Sequence, residues 1–476
     1  MEQLDAPLSP MWWTRRLYDR LMHQRDYFDV MDAYYRGEPP VPYLAEQARR
    51  EFARLLLLTK SNYMGLVIDS MTERMQVEGF RISDNPQADQ NTWDIWQANG
   101  LDSGSDQVLL EAAIGGRSFF LVEPNADKPQ LPHIYPEHPT QAIVAYEPGT
   151  SRRVRAAGLK VWSDEWTGRT MATLYLPDGI YKWVSSTAQT VHVLNDRNET
   201  LVTGPRQWEP RRVAGETWPA DNPLGEVPLI EVPNNPRLLS GGVSEIADVV
   251  AIQDRISKTL ADRMMTQDFG AFPQKWATGY PEEDAEGNQN PRIDVGRNRM
   301  VTSDAPETKF GQWDAAALDP YSAAKREDVK DIASRTRTPA QYLLGEMSNV
   351  NGETLKASES GLVSKVRQRM RTSGEGLEAT ARLARRVAGL AGPDESMETI
   401  WRNPEFRTEG ELVDALTKMS TLGVPYKALW ERWGASQSEI ARWEQMRQDE
   451  SSYDPIGAIA AQTARDAQPV QATEQE

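Results

Sequence analysis

Apolar positions recur at three- and four-residue steps along most of this chain, and the places where that rhythm stops mark its divisions. Leu17, Leu21, Phe28 and Met31 line one side of a helix predicted over 14–34, which ends at Arg36-Gly37-Glu38-Pro39-Pro40. Further helices are predicted over 44–57, over 62–75 behind a possible Asn62 cap, over 92–98, and over 105–114 before Gly115-Gly116. The apolar run 118–122 reads as a strand. From Ile134 to Val232 the period changes to two, which predicts strands at 143–146, 159–162, 171–176, 180–184 and 190–194. The strongest local signal there is Leu176-Pro177-Asp178-Gly179-Ile180, a tight hairpin.

The helical step returns at Ser244, an N-cap for a helix to about 265 that puts Ile246, Val249, Ile256, Leu260 and Met264 near one face. An insert over 273–312, dense in Pro, Gly, Asn and Asp, carries strand-like pieces at 292–295 and 299–302 and predicts a small β-containing protrusion. Asp319-Pro320 opens a second helix, with Tyr321, Ala324, Val329 and Ile332 on a narrow face and a stop at Thr338-Pro339. The polar stretch 341–352 reads as a flexible loop. Leu355, Leu362, Val366, Met370, Leu377, Ala381 and Ala384 then mark one face of a helix over 353–390, about 57 Å long if continuous. Gly361, Gly374 and Gly376 are its candidate kinks. Helical pieces follow at 408–420, 425–433 and 437–449, and the tail from Ser451 is expected to be disordered.

Composition narrows the class. The 476 residues suffice for roughly three domains. With no cysteine, disulfides, thiolate metal sites and cysteine nucleophiles are excluded together. The first residues lack a basic and apolar leader, and the longest aliphatic run, 55–58, is far too short to span a bilayer, so a soluble, non-secreted chain with no membrane partner is expected. A formal net charge of −17 speaks against a protein that grips nucleic acid, although it suits one that lets DNA pass a weakly repelling wall.

Candidate chemistry is sparse. No phosphate-binding loop, nucleophile elbow or dinucleotide glycine fingerprint occurs. His133, Glu137 and His138 invite a zinc reading, but Pro132, Pro136 and Pro139 forbid the helix such motifs need, and a loop at a strand edge is the plainer reading; no metal and no cofactor are expected. Asp328 with Asp331, or Glu282, Glu283 and Asp284, offer paired carboxylates that read better as solvated faces. Lys325, Arg326, Lys330, Arg335 and Arg337 suit either DNA contacts or intersubunit ion pairs with Asp248, Asp254 and Asp262.

The order of elements resembles that of the portal proteins of tailed bacteriophages, the siphophage type found in Bacillus phages and actinobacteriophages. The residues that carry the likeness are Tyr34-Tyr35-Arg36-Gly37, Asn62-Tyr63-Met64-Gly65-Leu66-Val67-Ile68-Asp69, Glu78-Gly79-Phe80 and Gly116-Arg117-Ser118-Phe119-Phe120-Leu121-Val122. Ile252-Gln253-Asp254-Arg255-Ile256, Phe272-Pro273-Gln274-Lys275, Thr338-Pro339 and Asn351-Gly352-Glu353-Thr354-Leu355-Lys356 complete the set. The resemblance implies an α+β, mainly helical portal fold: a wing over 1–240, stem helices over 241–266 and 318–337, and a clip over 267–317. It further implies a tunnel loop over 338–352, a long bridging helix over 353–392, a helical crown over 393–450 and a disordered tail over 451–476.

By the same resemblance, Leu344, Gly345, Glu346, Met347, Ser348, Asn349, Val350, Asn351 and Gly352 line a DNA channel. The implied protein is a ring of about twelve copies at one vertex of a virion, assembled in the host cytoplasm, without enzymatic activity. It passes double-stranded DNA during packaging and ejection. Its implied partners are the terminase large subunit, the head-tail connector, the major capsid protein and the scaffold. The alternatives are another virion structural protein, such as a minor head or baseplate component, or an enzyme working through surface carboxylates.

Overall fold

The structure, a computed structural model, describes residues 6–38, 59–82, 88–149, 153–186, 207–238, 240–271, 275–279, 306–312, 317–345, 352–390, 396–405, 409–435 and 437–453. The expected helix over 44–57 and the strands over 190–194, 292–295 and 299–302 lie outside these residues, as do most of the tail, from 454 on, and Glu282, Glu283 and Asp284. The described residues form two compact units, one of 1–25, 71–243 and 363–476, the other of 26–70 and 244–362. The described residues within 26–70 group with the central helices.

The first half of the chain runs α1 (Pro10–Tyr35), α2 (Met64–Thr72), β1 (Val77–Ile82), α3 (Gln90–Ala98), α4 (Leu101–Gly115), β2 (Arg117–Glu123) and β3 (His133–Glu137). It continues through β4 (Ala142–Tyr146), β5 (Arg155–Asp164), β6 (Arg169–Leu176), β7 (Gly179–Ser185), β8 (Trp208–Pro210) and β9 (Leu229–Pro233). The second half holds α5 (Val250–Ala271), β10 (Lys275–Thr278), β11 (Lys309–Gln312), α6 (Asp319–Thr336), α7 (Ala340–Leu344) and α8 (Gly352–Val387). Last come β12 (Met397–Trp401), α9 (Glu409–Thr421), α10 (Tyr426–Trp433) and α11 (Gln437–Tyr453).

In the larger unit, β4 to β8 form an antiparallel meander in sequence order, and the predicted hairpin joins β6 to β7 with Leu176 opposite Gly179. Alternation assigns its faces. Ala157, Leu159, Val161, Ala172, Leu174 and Trp183 point to one side and are buried with Leu17 and Leu21 of α1. On the opposite side Tyr175 and Val144 pack with Phe119 and Leu121 of β2 and Leu229 of β9. Strand β2 is the centre of a second sheet, β3-β2-β9. It is apolar at successive positions because both its faces are covered: Phe120, out of phase with Phe119, meets Trp96 at 5.9 Å, and Trp96 meets Phe80 of β1 edge-on at 4.9 Å. Strand β1 pairs with β12, more than three hundred residues away in sequence, from Val77 opposite Trp401 to Ile82 opposite Met397.

In the other unit, α5 and α6 bury Ile252, Ile256 and Ala261 together with Val329, Ile332 and Ala333. A short antiparallel ladder, β10 with β11, pairs Lys275 with Gln312 and Thr278 with Lys309 and closes off the insert between them. The expected loop over 341–352 differs in part: Ala340–Leu344 is the helix α7, ended by Gly345 in the left-handed conformation at φ 66°. Helix α8 runs without a break through Gly361, Gly374 and Gly376.

Candidate functional site

The family-like motifs of the smaller unit converge on α5. The Tyr34 hydroxyl donates to Asp254 Oδ1 at 2.8 Å, and the Tyr35 hydroxyl donates to Asp69 Oδ1 at 3.0 Å. Burial first, then the bond to Asp254, pushes the Tyr34 phenol far above its ordinary pKa, so it stays a donor. Asn62 Nδ2 donates to the Tyr35 carbonyl at 2.7 Å while its Oδ1 accepts from the Met64 amide at 2.9 Å. Gln253 is buried; its Nε2 donates to the Ser61 carbonyl at 2.7 Å and its Oε1 accepts from the Tyr63 amide at 3.2 Å. Motifs separated by about two hundred residues are therefore one hydrogen-bonded brace that fixes the start of α5.

Arg255, the next residue, joins α5 to α6. Its Nε donates to Asp328 Oδ1 at 2.7 Å and its Nη2 reaches Asp331 Oδ2 at 3.1 Å. Asp328 is buried and Asp331 exposed, so the solvated face expected for this pair holds only for Asp331. The bond to Asp328 pushes the guanidinium pKa up. No reaction follows from two carboxylates that clamp one guanidinium; they are a helix-helix tie.

The five cations read from the sequence all belong to α6 or its end. Lys330 pairs with Glu327 at 2.7 Å on its own helix, and the Lys325 ammonium lies 5.7 Å from the Tyr63 ring centre. Arg326, Arg335 and Arg337 are exposed, and Arg337 caps α6 in the left-handed conformation at φ 54°. Of the acids weighed as their partners, Asp254 holds Tyr34 and Asp262 holds Lys258 at 2.7 Å.

Past α6 the chain is pinned before and after the candidate channel loop. Gln341 Nε2 donates to Ser358 Oγ at 2.7 Å, the Tyr342 hydroxyl donates to the buried Glu359, and the Gly345 amide closes α7 on the Gln341 carbonyl at 3.0 Å. Leu344 ends α7, Gly345 caps it and Gly352 opens α8; Glu346, Met347, Ser348, Asn349, Val350 and Asn351 lie outside the described residues. The pins themselves were not read from the sequence, since nothing but proximity distinguishes Tyr342 and Glu359 from other polar residues.

Of the histidine segment, His133 to Glu137 is an edge strand rather than a loop, and His138 follows it. His133 stacks on Tyr135 at 5.7 Å within β3, the His138 Nδ1 lies 2.7 Å from Thr140 Oγ1, and the buried Glu137 accepts from Lys160. Among the described residues no group of three or more His, Asp or Glu is placed to hold a metal, and no helix is long and apolar enough to cross a membrane.

These contacts brace α5 against α6, close the insert at β10 and β11, and tie α7 to the start of α8. The family model for phage portal proteins, SPP1 Gp6-like, matches residues 15–453. The portal protein of Mycobacterium phage D29 is 30% identical over 82% of this chain and 79% of its own, and that of Mycobacterium phage L5 is 29% identical over 87% and 84%. The neck of an empty GTA particle, computed with C6 symmetry, aligns over 81% of this chain and 90% of that chain at 13% identity and a TM-score of 0.42; the assignment rests on the sequence matches. The chain belongs to the SPP1-type phage portal protein family. It is accordingly a structural component of the phage head, of a family that works as oligomeric rings.

Proposed function

We propose that about twelve copies of this chain close into a ring at one head vertex, that double-stranded DNA enters and leaves through its centre, and that the ring is purely structural. The carrying observation is the family match over residues 15–453. In this reading α5 and α6 are the stem, and the insert between β10 and β11 is the clip. The clip meets the terminase large subunit during packaging and the head-tail connector afterwards. The loop 344–352 narrows the channel, and Arg326, Arg335 and Arg337 face either DNA or the next copy. The larger unit forms wing and crown against major capsid protein and scaffold, and assembly takes place in the host cytoplasm.

The pinned loop ends support the channel assignment. The flanking residues are held by their own helices, α7 closing at Gly345 and α8 opening at Gly352, so a deletion between them is expected to leave both helices in place. Deleting residues 347–351 should leave rings of normal diameter in negative-stain images while DNase-protected DNA per particle falls at least severalfold. Unchanged packaging by that deletion would remove the channel role from this loop.

A further inference from the structure

Within the larger unit, Tyr146 at the end of β4, Arg153 and Arg155 at the start of β5, the end of β9 and one face of α8 line an open cavity of about 500 Å³. Arg153, Arg155 and Arg371 line it, and Ile230, Pro233, Pro236 and Ala379 make its apolar wall. Volume and composition fall in the range of sites that hold a small ligand or a few side chains.

The cations here outnumber the acids that serve them. Arg155 is committed to Glu226 at 2.6 Å, and Arg386 shares that carboxylate. Glu231, with a side chain only 3% exposed, accepts from the Tyr146 hydroxyl at 2.6 Å and is shared by two longer ion pairs, to Arg117 at 3.5 Å and to Arg153 at 3.6 Å. Its other oxygen, Oε1, is buried without a hydrogen bond. Arg20, near the same carboxylate, is pushed down by burial and then by Arg117 and Arg16, a sign of crowded positive charge. Arg153 is 41% exposed and Arg371 is exposed with no ion-pair partner among the described residues. Glu375, one turn beyond Arg371, also lines the cavity and makes no ion pair with it. In a chain of net charge −17, such a local excess of guanidinium calls for an anion from outside.

We propose that this cavity is a docking site for an acidic segment of another protein, with a carboxylate held between Arg153 and Arg371 and a neighbouring apolar side chain against Ile230, Pro233 and Ala379. Guanidinium forks match carboxylates two bonds at a time. The apolar wall offers a duplex nothing, since DNA presents phosphates along a wide, polar surface.

The test uses the full chain assembled as it purifies, a fluorescein-labelled peptide of alternating glutamate and leucine, its glutamine-leucine analogue, and inorganic phosphate as competitor. Polarisation should show binding of the acidic peptide, with the analogue and the double variant R153Q/R371Q weaker by roughly tenfold or more, since charge-assisted hydrogen bonds are being lost. Arg153 also stands 3.6 Å from the buried Glu231, so the single variant R371Q, at an exposed arginine, serves as the control: it should keep the wild-type Tm and still weaken binding. Glu375→Gln, which removes the acid at the rim, should tighten binding and supplies a readout in the opposite direction. Equal binding of the glutamine analogue, or of the double variant, overturns the proposal. Displacement by phosphate with no preference for peptide assigns the cavity to free oxyanions and also overturns it. Binding by separated monomers but not by the assembled particle gives the cavity to the neighbouring copy, which overturns it too.

Discussion

Glu378 illustrates how a single side chain can be both a fastener and a liability. Its Oε1 accepts from the Thr399 amide at 3.0 Å, which ties α8 to β12. Burial, the largest influence, raises its carboxyl above the ordinary value of 4.5, opposed by the Thr399 amide and by Arg382. A carboxyl raised on folding binds its proton more tightly in the native state. Stability from this group is therefore present at low pH and is lost as pH rises from the unfolded value through the raised native one. Glu378→Gln keeps an acceptor for the Thr399 amide and deletes the charge. Thermal melts from pH 4 upward should show variant and wild type close together in acid, with the variant gaining as pH increases. A gap that shrinks as pH rises would mean that the Arg382 pairing outweighs burial.

At the scale of the element, α8 shows what a periodic pattern reveals and what it hides. The apolar steps of α5, α6 and α8 were legible because each helix buries one stripe, and the alternation in β5 to β7 because neighbouring residues of a strand go to opposite sides of the sheet. Strand β3 was hidden by Pro136, which is tolerated because β3 is an edge of its sheet. Strand β9 was masked by the prolines and glycines around it, and β12 pairs too far away in sequence for local pattern to announce it. The brace through Tyr34, Gln253 and Asp254 was visible only as family-like motifs, since polar contacts across two hundred residues leave no period. The glycines of α8, candidate kinks by sequence, differ in what surrounds them. A Cβ at Gly376 would stand 2.9 Å from the Glu231 carbonyl oxygen and 3.0 Å from Val232 Cα, so the residue lets the helix lie directly on β9. At Gly374 the nearest atoms, Glu378 Oε1 and Trp401 Nε1, are 3.5 and 3.6 Å away. Gly376→Ala should cost about 1–3 kcal/mol through forced displacement of backbone, whereas Gly374→Ala should gain up to about 1 kcal/mol from helix propensity. Denaturant melts of the two variants check the contrast, and equal effects would mean that the close approach does not govern α8.

For the whole molecule, the question is how a DNA conduit avoids becoming a DNA trap. Double-stranded DNA bound to n cations is held by the release of counterions, and such binding tightens steeply as salt falls. With 70 acidic against 53 basic residues, each copy brings a net repulsive charge, and a ring multiplies that charge around its opening. Much of the basic complement is also spent internally: Arg255 on Asp328, Lys258 on Asp262, Lys330 on Glu327, Arg155 on Glu226. Arg335 and Arg337 stay exposed at the end of α6. Assembled particles should therefore bind a short blunt duplex no more tightly than non-specific proteins do, with a Kd no lower than about 10⁻⁶ M at physiological salt. A gel-shift titration at two salt concentrations measures both affinity and its salt slope. Adding cations where the loop is proposed to line the channel, as in Ser348→Lys with Asn349→Lys, should then increase affinity and salt slope together and slow DNA entry. Submicromolar binding by the unaltered particle would mean that the channel grips DNA, and the idea that its acidity serves passage would have to be abandoned.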